Sequence, residues 1–170
     1  LGPEMRSTGE VLGLASTFGL AYFKSQEGAN AKLPTEEGTI LISLSEKTDS
    51  AIKAAKEFVK LGFKLIGTAG TITWLAQHGV PGVVVNKINE GRPNVLDAIV
   101  NRQVSLVINT PSGRRDARAD DSSIRKAALK YRIPYLTTVA AAAASAQGIR
   151  AARDSAGGVK SIQAYHADIR

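Results

Sequence analysis

From residue 39 onward the chain alternates short apolar runs with longer segments of helical period. Thr39-Ile40-Leu41-Ile42-Ser43-Leu44 is apolar without alternation. In the next segment, Asp49 to Leu61, Ala51, Ile52, Ala55, Phe58 and Val59 share one face, while Lys53, Lys56, Glu57 and Lys60 lie elsewhere. A continuous apolar run reads as a strand buried on both faces, and a 3.6-residue stripe reads as a helix covering a sheet. Gly62 stops that helix. Four further runs predict strands: Lys64 to Gly67, Gly82 to Val85, Leu106 to Asn109 and Pro134 to Thr137. Helices are predicted near 71–78, 95–101, 122–131 and 139–153, the last opening on the alanine stretch Ala140 to Ala144. Strands joined through helices with right-handed crossovers give an α/β fold, a three-layer αβα sandwich around a five-stranded parallel sheet. No internal repeat is visible. Leu1 to Leu33 differs: a Gly-rich opening, a short apolar stretch Phe18 to Lys24 and the polar Gln26 to Asn30 read as a tail and linker, so the domain is expected over 34–170.

Two loops stand out against this frame. Thr68-Ala69-Gly70-Thr71 follows one predicted strand and Asn109-Thr110-Pro111-Ser112-Gly113 follows another. In an open parallel sheet the C-terminal strand ends share one edge, where loops distant in sequence converge at the point of strand-order reversal. The first loop opens a helix, whose N–H groups and dipole favour an anion. A phosphate pocket is expected there. Thr68, Gly70 and Thr71 offer hydroxyl and backbone donors, Lys87 adds a charge at the end of its strand, and Asn109, Thr110, Ser112 and Gly113 approach from the neighbouring strand. The plainer reading of Thr68 and Asn109 is ordinary capping and turn formation. That of Lys87 is a solvated side chain.

Composition narrows the chemistry. The 170 residues are 44% hydrophobic and 22% charged, the balance of an ordinary globular domain. There is no cysteine, and His78 and His166 are too few and too far apart to suggest a metal site. The net charge of +7 is spread over helix faces apart from Arg114, Arg115 and Arg118 beside the second loop, and aromatic residues make up only 5%. Without aromatics interleaved among the cations, small anions suit this surface better than nucleic acid. No apolar run approaches a membrane span and no secretory pattern opens the chain, so a cytoplasmic setting is expected.

These residues carry a family resemblance. Glu4 to Val11 resembles the phrase that closes the second ATP-grasp unit in the large subunit of carbamoyl-phosphate synthases. From about Gly38 the chain resembles the C-terminal regulatory domain of that family, which has a methylglyoxal-synthase-like fold. The matching phrases run in the family's order with near-family spacing: Leu61-Gly62-Phe63, Thr68 to Thr71, Val85-Asn86-Lys87, Glu90-Gly91-Arg92-Pro93, Val107 to Thr110, Ile124-Arg125-Lys126 and Ile133-Pro134-Tyr135.

The resemblance implies an allosteric effector-binding domain without catalytic residues of its own. Its parent would make carbamoyl phosphate, for pyrimidine and arginine synthesis, from glutamine, bicarbonate and ATP with Mg or Mn. Its partners would be the upstream ATP-grasp domains, a glutaminase small subunit and other copies in an oligomer. The effectors implied are nucleotides such as UMP or IMP, at the positions named above, and ornithine, one of whose ligands matches Thr137. Two departures stand against the nucleotide set. A lysine that binds phosphate in bacterial relatives is replaced by Thr48, so that Thr48, and Lys47 from one residue earlier, are the candidates to reach the phosphate there, and Pro111 replaces a threonine. They favour an alternative in which the domain is a docking or oligomerisation module with a vestigial pocket. A methylglyoxal synthase is a further alternative, but Arg92 stands where that enzyme's catalytic aspartate belongs, and an arginine cannot serve as a general base. Asp97 reads as a helix or salt-bridge residue.

Overall fold

The computed structural model describes residues 11–111, 115–155 and 159–168, with backbone alone for 115–118. Ser112 and Gly113 lie outside the described residues. Helix α1 (Phe18–Gly28) precedes β1 (Thr39–Ser43), α2 (Asp49–Lys60), β2 (Lys64–Gly67), α3 (Ala69–Gln77), β3 (Val83–Val84) and α4 (Val95–Val100). Then come β4 (Leu106–Asn109), α5 (Arg115–Lys130), β5 (Tyr135–Leu136), α6 (Val139–Asp154) and α7 (Ile162–Ala167). The strands form one parallel sheet in the order β3-β2-β1-β4-β5. The order runs outward from β1 through β2 to β3, then returns to place β4 on the other side of β1. The C-terminal ends of β1 and β4 therefore flank the switch point.

The central strands carry unbroken apolar runs, Ile40-Leu41-Ile42 and Leu106-Val107-Ile108, because both of their faces are covered. Successive residues point to opposite faces. Ile40 and Ile42 of β1, with Leu106 and Ile108 of β4, join a core cluster with Phe58 of α2, Leu75 of α3 and Ile149 of α6. Leu41 and Val107 point the other way, to Val95 and Ile99 of α4 and to Ile124 and Ala128 of α5. Three layers follow directly, as expected.

Four details depart from the expected pattern. Helix α5 begins at Arg115, well before residue 122. Its first two turns, Arg115 to Asp121, are charged residues and alanines, which show no apolar stripe although alanine and arginine favour helix. Strand β3 keeps only two residues, and Val83 and Val84 are exposed at the sheet edge rather than covered. Helix α1 packs along α6, burying Phe23 in the larger core cluster. A Cβ on Gly19 would stand 2.8 Å from the Gln147 carbonyl oxygen, so only glycine permits this approach. Finally, α7 was not foreseen; the Tyr165 hydroxyl donates to the Leu14 carbonyl at 3.2 Å, returning the C-terminal segment to the N-terminal one.

Candidate functional site at the sheet switch point

The loop after β1 and the loop after β4 are joined by backbone and side chain. The Ser45 N–H donates to the Thr110 hydroxyl at 2.8 Å, and the Thr110 N–H donates to the Ser43 carbonyl at 3.0 Å. On the other side of β1, the buried Thr71 hydroxyl accepts the Leu44 N–H at 3.1 Å. Thr71 and Thr110 thus hold the β1 exit from both sides. Gly67 allows β2 to end this close, since a Cβ there would meet the Ile42 carbonyl oxygen at 2.2 Å.

The threonines at the helix starts divide by what they already do. Thr48 caps α2, accepting from Ala51 N–H at 3.3 Å, and Thr138 caps α6, accepting from Ala141 N–H at 3.1 Å. Thr68 occupies the same position on α3 and makes no capping bond. Gly70 follows it, with open space where a Cβ would stand. The first turn of α3 therefore offers a hydroxyl and first-turn N–H groups of the kind that lack intrahelical acceptors. Thr71, in the same turn, serves the fold through Leu44.

The remaining predicted residues do not all converge. Thr48, Thr110 and Thr137 line one cleft of about 330 Å³ with Ser45, Glu46, Pro111, Thr138 and Val139. Thr137 also borders a larger open cavity of about 940 Å³, lined by Arg125, Arg132, Tyr135 and Asn30 among others. Asn109 is 1% exposed. It follows Val107 in the strand alternation and so shares the α4–α5 side of the sheet. Its amide nitrogen donates to the Tyr135 hydroxyl at 2.8 Å and to Asp121 Oδ1 at 3.0 Å. Lys87 lies beyond β3, with Nζ 3.7 Å from Glu90 Oε1. Between the ends of β3 and β4 lie three strand spacings, about 14 Å. Lys47 is exposed and lines neither cavity.

Ser45, Asp121 and Tyr135 were not singled out from sequence. Ser45 had a usable signal as the first polar residue after the β1 run; Asp121 had none, because its place depends on where α5 begins. Burial pushes the Tyr135 hydroxyl up from its ordinary range, an effect opposed by the amide that Asn109 donates. It is therefore neutral near neutral pH.

Arg92, which the sequence resemblance aligned with a catalytic aspartate, is ion-paired to Asp97 and donates to both of its carboxylate oxygens. Asp97 also accepts the Asn94 N–H at 2.9 Å and so closes the capping box of α4. Arg92 and that N–H hold the Asp97 carboxyl below the usual carboxylate range. A carboxylate so engaged is a helix and salt-bridge residue. Among the described residues no group of three His, Cys, Asp or Glu gathers to hold a metal ion. No helix there is long and apolar enough to cross a membrane.

Residues 50–137 match the MGS-like domain family. The carbamoyl phosphate synthase large chain of Archaeoglobus fulgidus is 48% identical over 168 residues, covering 98% of this chain and 15% of that one. That of Synechocystis sp. is 46% identical over 167 residues, 97% of this chain and 15% of the relative. The carbamoyl phosphate synthase large chain, C-terminal section, of Methanopyrus kandleri is 42% identical over 167 residues, 98% of this chain and 31% of the relative. The chain therefore spans about 15% of the length of the full large chains it matches. With its five-stranded parallel sheet, the chain belongs to the MGS-like domain family, in the form carried by carbamoyl phosphate synthase large chains.

Proposed function

We propose that the chain is the effector-binding regulatory unit of a carbamoyl phosphate synthase large chain, taking a nucleoside monophosphate of the UMP or IMP type. The phosphate lies on the first turn of α3, at Thr68, Gly70 and Thr71, and the nucleoside extends toward the end of β4. The observation that carries this reading is the Thr68 hydroxyl, which makes no capping bond while Thr48 and Thr138 both cap their helices. The ends of β2 and β4 are two strand spacings apart, about 10 Å, a gap that a nucleotide bridges and a free phosphate does not. Lys87 supplies a cation by leaving Glu90, an exposed pair of the kind worth at most about 1 kcal/mol.

The wider function belongs to the same proposal. Synthesis of carbamoyl phosphate belongs to upstream ATP-grasp units with ATP and Mg or Mn, fed by a glutaminase subunit, and this domain biases them. Residues 1–33 are the end of the preceding unit and its linker, with α1 docked along α6 of this domain. Thr137 makes no capping bond and borders both cavities, which suits a role in ornithine binding.

The test is thermal unfolding of the chain with UMP, IMP, ornithine and inorganic phosphate. A ligand at a hundredfold excess over Kd adds about 2.7 kcal/mol, or roughly 5–10 °C for a domain of this size. A rise with a nucleotide supports the reading. Flat curves with all four favour a docking module instead, the alternative supported by Thr48 acting as a helix cap.

A further inference from the structure

Strand β5 ends the strand order and pairs with β4 alone. The Val107 N–H donates to the Pro134 carbonyl at 2.9 Å, with Val107 in register with Tyr135, so Pro134 and Leu136 direct their bonding groups toward β4. Tyr135, between them, turns its own N–H and C=O away from the sheet. Among the described residues no backbone group bonds to either. Tyr135 borders the open cavity of about 940 Å³, which therefore lies along a free sheet edge.

The walls of that cavity differ in chemistry. On the α5 side stand Arg125, Leu129 and, just past the helix, Arg132, at the spacing of one helical stripe. Leu129 is 63% exposed, and neither arginine joins an ion pair among the described residues. The other wall is Ala29, Asn30 and Ala31, uncharged and mostly small, following α1, which packs along α6 on the opposite side of the sheet from α5. A bare edge invites pairing, and charge restricts what pairs with it. Two β5 edges joined about a two-fold axis would bring the arginines of both copies together, so a second copy is disfavoured.

We propose that the β5 edge is a docking slot for an extended, acidic segment of a partner protein, added to the sheet as a further strand. The Tyr135 N–H and C=O bond its backbone. Its side chains alternate between the two walls, carboxylates toward Arg125 and Arg132 and small residues toward Ala29 and Ala31. Such a short strand offers few backbone bonds, so charge carries much of the affinity and salt weakens it. The inference does not depend on the nucleotide reading.

Titration of the chain with a short blocked peptide alternating glutamate and alanine tests this, followed by calorimetry and by ¹⁵N-detected amide exchange. The expected result is saturable binding that fades with added salt and slows exchange of the Tyr135 amide. Arg125→Gln combined with Arg132→Gln should weaken binding about tenfold, the loss of two exposed ion pairs. The same peptide N-methylated at alternate residues, in either register, leaves the protein unaltered, and one of the two registers should lose binding. No binding, equal binding of a lysine–alanine peptide, or unchanged Tyr135 exchange on binding would overturn the proposal. Self-association of the chain that protects the Tyr135 amide would assign the edge to a second copy and overturn it equally.

Discussion

The Ser45 N–H donates to the Thr110 hydroxyl at 2.8 Å, one of the bonds that join the exits of the two strands between which the strand order reverses. The loops it joins are 65 residues apart in sequence, so their proximity is a product of topology alone.

Thr110→Val keeps the branched shape and removes the acceptor. A net loss of about 1 kcal/mol is expected for one hydrogen bond, lowering the melting temperature by roughly 2–4 °C. Differential scanning calorimetry checks it; an unchanged transition would show that the joint adds no stability.

Phe23 tests whether α1 belongs to the folding unit. It is 7% exposed and joins the cluster that includes Phe58 and Ile149. Phe23→Ala should cost about 3–5 kcal/mol, read from urea unfolding midpoints at constant m-value. A loss below about 1 kcal/mol would make α1 an appendage.

Glu57 on α2 pairs with Lys60 at 2.9 Å and with Arg150 on α6. Its carboxyl is held below the ordinary 4.5, first by Lys60 and then by Arg150. A carboxylate with a lowered folded-state pKa adds stability that is present above pH 4.5 and lost as pH falls toward the folded value. Glu57→Gln should therefore destabilise the domain more at pH 7 than at pH 3. Equal effects at both pH values would place the contribution in packing rather than charge.

Arg92 and Asp97 bear on the enzymatic alternative. With Asp97 engaged by Arg92 and by the Asn94 N–H, no methylglyoxal should form from dihydroxyacetone phosphate above the uncatalysed rate. Product formation that Asp97→Asn abolishes would restore a displaced-base mechanism.

The sheet was legible because β1 and β4 are covered on both faces, which forces unbroken apolar runs such as Ile40-Leu41-Ile42. The first two turns of α5 were hidden because their residues contribute no apolar stripe, and with them went Asp121. Lys87 is a conspicuous charge in the sequence, but its partner Glu90 lies three residues on and holds it near the edge strand. The threonines show the same limit. Thr48, Thr68 and Thr138 each precede a helix, and only geometry separates the two that cap from the one that does not. Asn109 is oriented by Tyr135, 26 residues away, a relation that local sequence does not contain.

The central claim is that the first turn of α3 holds the phosphate of a nucleotide, and Thr68 tests it most directly because its hydroxyl makes no capping bond. Calorimetric titration of UMP into wild type and Thr68→Val, repeated in excess inorganic phosphate, is the measurement. The account predicts saturable binding to wild type that phosphate suppresses, and roughly fivefold or greater weakening in the variant with little change in melting temperature. UMP affinity that is unaffected by both phosphate and the Thr68 substitution would contradict it.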